Sequence, residues 1–107
     1  MIQADEKLPE AVEHAVRAMC EDYDRRKQEL SRGKLAPEVL GHYMLLNAAI
    51  DNALALCCEE GIRDEMRRDI ANGTGHRFTQ IYFLSPATYK SRKRKSKYAI
   101  AKALHLV

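Results

Sequence analysis

A chain of 107 residues, 46% hydrophobic and 31% charged, has the size and make-up of one small globular domain. That length holds a single core and leaves no room for a catalytic domain beside a separate binding domain. No apolar run approaches the roughly 20 residues of a membrane span, and the acidic N-terminal stretch lacks the apolar segment of a secretory signal, so a cytoplasmic protein with no membrane partner is expected. Cys20, Cys57 and Cys58 are an odd number without zinc-type spacing, which fits reduced thiols.

Abundant Ala, Leu, Glu, Lys and Arg predict an all-α fold. The first helix is expected from Pro9 to about Ser31: proline suits a first helical turn and Gly33 suits a stop. Its apolar stripe is Leu8, Val12, Ala15, Val16, Met19, Tyr23 and Leu30, with Arg26 on the same face and expected to pack only its aliphatic stem. A second helix starts in the same way at Pro37 and runs to about Glu60. Val39, Tyr43, Leu46, Ile50, Ala53, Leu54 and Cys57 form its main stripe, and Leu45, Ala49 and Leu56 a second strip on the flank. A helix apolar on two sides is expected to be packed on two sides. The short link between the two predicts an antiparallel helical hairpin.

A shorter amphipathic helix is expected from Ile62 to Asn72, with Ile62, Met66 and Ile70 one turn apart, ending at Gly73. The segment 76–84 reads equally as a short helix or as an apolar plug. Ser85-Pro86 then pairs an N-cap residue with proline at the first helical position and predicts a last helix to about Leu104. Tyr89, Ser96, Ile100, Ala103 and Val107 share one face of it. The expected organisation is one domain over 1–107, with a hairpin in 1–60 and a helix-turn-helix-like part in 61–107 that ends in a long basic helix.

Charge is unevenly spread. Residues 85–107 contain Lys90, Arg92, Lys93, Arg94, Lys95, Lys97 and Lys102 and no acidic residue, a net +7; residues 1–84 hold eleven basic and fifteen acidic residues, a net −4. Such asymmetry points to a polyanionic partner for the C-terminal end. By angle on the helix, Thr88, Ser91, Arg94 and Lys95 lie away from the Tyr89 face, where they would meet base edges. Lys90, Arg92, Lys93 and Lys97 lie on the flanks, where they would meet phosphates, with Arg77 and Ser85 as further clamps.

The run from Leu84 through Ser85, Pro86, Ala87, Thr88, Tyr89 and the basic cluster to Ala101, Leu104 and Leu106 resembles the C-terminus of phage-encoded late-gene transcriptional regulators of the ArpU/RinA type. Ser85, Thr88 and Tyr89 match that family's entry into a basic recognition helix, and Ala101, Leu104 and Leu106 match its end. Phe83 and His105 stand where such modules often carry Gly. The resemblance implies a sigma-factor-like helix-turn-helix, double-stranded DNA as partner, and contact with RNA polymerase.

No catalytic constellation is apparent, so a non-enzyme without cofactor or metal is expected. His14, His42, His76 and His105 lack ligand spacing, and Cys57-Cys58 lacks the Cys-x-x-Cys spacing of a redox motif and reads as core. Asp51 and Asn47 are a polar pair that would serve either function or a cross-helix hydrogen bond. An RNA-binding or antitermination role would use the same basic helix, and a structural adaptor would use the first two helices instead. The strip Leu45–Ala49–Leu56 leaves burial within the chain and a homodimer equally open.

Overall fold

The computed structural model describes residues 7–73 and 84–107. It is all-α, with no strand among the described residues: α1 (Glu10–Glu21), α2 (Tyr23–Arg32), α3 (Pro37–Cys57), a 3-10 turn (Glu60–Ile62), α4 (Arg63–Asn72) and α5 (Pro86–Ala103). No helix of the described residues is long and apolar enough to cross a membrane.

The boundaries follow local chemistry. Pro37 and Pro86 open α3 and α5, where a missing N–H costs nothing. Gly33 and Gly73 close α2 and α4 at φ 68° and 69°, a left-handed conformation that glycine adopts without a Cβ clash. The single first helix expected from Pro9 to Ser31 is two helices, interrupted at Asp22. The Asp22 carboxylate there binds Arg25 (Nε 2.5 Å) and Arg26 (Nη1 3.2 Å), the local side-chain bonding that makes aspartate a poor helix-interior residue. The second helix ends at Cys57, three residues before the expected Glu60, because Cys58 turns extended (φ −135°, ψ 145°).

The core lies where α1 packs on α4 and α5, and α3 on α2, α4 and α5. Val16, Cys20 and Tyr23 meet Ile50, Ala53, Leu54, Ile62, Met66, Ile70, Tyr89 and Ile100 there, all buried. Two expectations about packing need correction. Arg26 is not a stem with a solvated head: it is 2% exposed, and its guanidinium donates to Asn47 Oδ1 and to the Met19 carbonyl, both at 2.7 Å. A buried charge needs such a full set of partners. Of the second strip of α3, Ala49 is half-buried, but Leu45 is 71% and Leu56 76% exposed, so the described residues do not cover it.

The polar pair on α3 is structural. Asp51 accepts from Tyr23 Oη at 2.8 Å, and Asn47 holds Arg26 and the Tyr23 carbonyl. Burial, then Asp51, pushes the Tyr23 hydroxyl up to about 12. Arg67, also buried, stacks over the Tyr23 ring at 4.0 Å and pairs with Asp24 and Asp64.

Candidate nucleic-acid interface

Helix α5 carries the basic cluster, and its first turn is organised as the sequence suggests. Ser85 Oγ accepts from the Thr88 amide at 3.2 Å and donates to Thr88 Oγ1 at 2.9 Å, satisfying one of the amides that a helix start leaves open. Tyr89, Ser96, Ala99, Ile100 and Ala101 are buried and fix the helix to the core. Ala103 and Val107, expected on the same face, are exposed because the helix runs past the core there.

The last turn closes in a Schellman arrangement: Leu106 N–H donates to Ala101 O at 2.8 Å and His105 N–H to Lys102 O at 3.1 Å. That geometry requires a left-handed residue, and His105 supplies it at φ 60°.

Three of the cations are tied to carboxylates from elsewhere in the chain. Arg92 Nη1 pairs with Glu59 Oε2 beyond the end of α3. Lys93 Nζ pairs with Asp69 Oδ1 of α4 at 3.1 Å, and Lys97 Nζ with Glu13 Oε1 of α1 at 3.5 Å. Asp69 is fully buried and also accepts from Tyr89 Oη, so α5 is anchored on α4 by a hydroxyl and an ammonium on one carboxylate. The hydrogen bond from Arg92 holds Glu59 below the usual carboxylate range, and Glu59 raises Arg92 in turn.

Lys90, Arg94, Lys95 and Lys102 are exposed and form no ion pair among the described residues, and Thr88 is exposed while Ser91 is half-buried. Lys90, Lys93, Arg94 and Lys97 line an open concavity of about 390 Å³ along one side of α5. The sequence-predicted set therefore divides. Lys90, Arg94 and Lys95 present charge outward, Arg92, Lys93 and Lys97 also hold the fold together, and Arg77 lies outside the described residues. Glu13, Glu59 and Asp69 are the ion-pair partners of α5 that sequence reasoning missed. They sit 84, 33 and 24 positions before their partners in the chain, so no local charge pattern reveals them.

Burial pushes the Cys20 thiol up to about 11 and raises Cys57 and Cys58 as well. Among the described residues no three His, Cys, Asp or Glu side chains group as metal ligands. No protein-family profile, curated protein or solved structure matches this chain.

Proposed function

We propose that this chain is a sequence-specific double-stranded-DNA-binding transcriptional regulator, of the phage late-gene kind that its C-terminal end resembles, with α5 as the reading helix and no catalytic role. The observation that carries the reading is that Lys90, Arg94 and Lys95 stand exposed on a helix whose opposite face is locked into the core by Tyr89, Ser96 and Ile100. A rigid element bearing outward guanidinium and ammonium groups suits a major groove, with Lys90 on phosphate and Arg94, Lys95, Thr88 and Ser91 toward base edges. Residues 76–84, which would supply the first helix of a helix-turn-helix, lie partly outside the described residues.

The exposed Leu45 and Leu56 support a two-fold dimer through α3, which would present two copies of α5 to a pseudo-palindromic site. Sedimentation of the wild type and of Leu45→Asp tests it: a DNA-bound monomer at micromolar concentration removes the dimer. For the main reading the test is competition at equal salt among a selected duplex, random duplexes and structured RNA. Tighter binding of the selected duplex supports it. Preference for RNA replaces it with the RNA-binding reading, and binding that survives neutralisation of Lys90, Arg92, Arg94 and Lys95 leaves α5 as a solvated surface.

A further inference from the structure

We infer that the two-fold dimer closes by laying α3 antiparallel against α3 of a second copy, with Leu45 of each chain on Leu56 of the other. The inference rests on the dimer reading above and gives it an orientation and a register. Gly41, Leu45, Ala48, Asn52 and Ala55 are exposed and recur at spacings of four, three, four and three residues, with exposed Leu56 alongside. That alternation keeps one face of a helix in line and is the spacing of a helix–helix seam. Between Glu38 and Glu59, Asp51 is the one Asp, Glu, Lys or Arg. It lies about 120° round the helix from Leu45 and is held by the Tyr23 hydroxyl at 2.8 Å, so the seam itself is uncharged. The pattern also complements itself. Turned about a point between Ile50 and Asp51, it sets each leucine on the other kind and Asn52 against the small Ala49. Asn52 is the one polar side chain of the seam, and such a residue fixes register.

A two-fold seam can run in either sense, and α5 decides between them. It flanks the seam on one side, where Asn52, Ala53 and Leu56 meet Ala99, Lys102 and Ala103 around a cleft of about 310 Å³. A parallel pair has its axis along the helices, which carries the two copies of α5 to opposite sides. It also stacks Glu38 on Glu38, a like-charge contact. An antiparallel pair has its axis across both helices, in the plane of the interface. That axis carries α5 to the same side in both copies and emerges between them, as one duplex requires of two reading helices. It holds the two Glu38 carboxylates at opposite ends of the seam.

The test uses the full chain without DNA, so a failure of the DNA-binding reading shows only in its own competition assay. Sedimentation equilibrium should find a dimer. Leu56→Asp should raise its dissociation constant at least about 100-fold, because the change enters the interface twice. Orientation is read by pulsed electron–electron spin resonance on a nitroxide at Glu38→Cys, in a Cys57→Ser chain whose other thiols, Cys20 and Cys58, are buried. Circular dichroism checks the fold of each variant. Antiparallel pairing offsets the two labels by about 25 helical residues and should place them about 40 Å apart, whereas parallel pairing brings them within about 20 Å. A wild type that is monomeric at the concentration of the resonance measurement removes the dimer reading and this inference with it. A dimer with labels within about 20 Å, or one that Leu56→Asp leaves intact, keeps the dimer and overturns the antiparallel seam.

Discussion

The pairing of Arg92, Lys93 and Lys97 with acidic partners makes a quantitative statement about salt. Six cations of α5 face the proposed DNA, but only Lys90, Arg94 and Lys95 stand clear of a carboxylate among the described residues. Each neutralised phosphate contributes about −0.9 to the slope of log K against log salt, so three contacts give a slope of about −2.7 per chain and six about −5.4. Over a fourfold rise in salt those slopes correspond to losses of about 40-fold and about 2,000-fold. Glu59→Gln removes the charge that holds Arg92 at the surface of the fold, which frees a fourth cation. The slope should then steepen to about −3.6, a loss of about 150-fold over the same range, with tighter binding at low salt. Fluorescence anisotropy on one duplex, titrated from about 50 to about 200 mM salt, reads both quantities. Lys90→Ala should shift the slope the other way by about 0.9 on every duplex, selected or random. A wild-type slope near −5.4, or a Glu59→Gln variant with unchanged slope and affinity, refutes the masking argument.

Other outcomes concern stability. Asp69→Ala leaves the Lys93 ammonium and the Tyr89 hydroxyl without their shared carboxylate, and Asp69 is fully buried while Lys93 is 20% exposed. Allowing for that exposure, the loss should be about 2–4 kcal/mol by urea denaturation, and a loss within experimental error of zero counts against the anchor. His105→Gly should stabilise by about 0.5–1 kcal/mol, since the left-handed position costs a β-carbon-bearing residue more than the added chain entropy of glycine; destabilisation would mean that the histidine side chain matters. Stability should also fall at alkaline pH. Burial raises Cys20 from 9.0 to about 11, and burial with Asp51 raises Tyr23 from 10.0 to about 12. The unfolded chain loses these protons first, so this contribution is complete below about pH 9 and lost as pH rises toward 12. Tyr23→Phe should flatten the upper part of a denaturation-midpoint profile, and a variant profile parallel to the wild type refutes the assignment.

Much of the architecture is legible in the sequence because it rests on local chemistry. Proline at the first helical turn, glycine at the left-handed exit and one apolar residue per turn act within a few residues of themselves, and they locate α3, α4 and α5 to within about three positions. The cap at Ser85 and the Tyr89 anchor are readable for the same reason. Only the tertiary structure decides what long separations bring together. It buries the whole of Arg26 by setting Asn47 against it, leaves Leu45 and Leu56 exposed, and sets the Cys58 thiol against the buried Ser96 hydroxyl. Above all, it changes the meaning of the basic cluster. A count along the chain finds no acidic residue after Leu84, yet folding carries Glu13, Glu59 and Asp69 against α5 from three other parts of the chain. Charge interactions depend on distance through space, and at about 3–4 Å a carboxylate from a distant helix matters more than any neighbour in sequence that points into solvent.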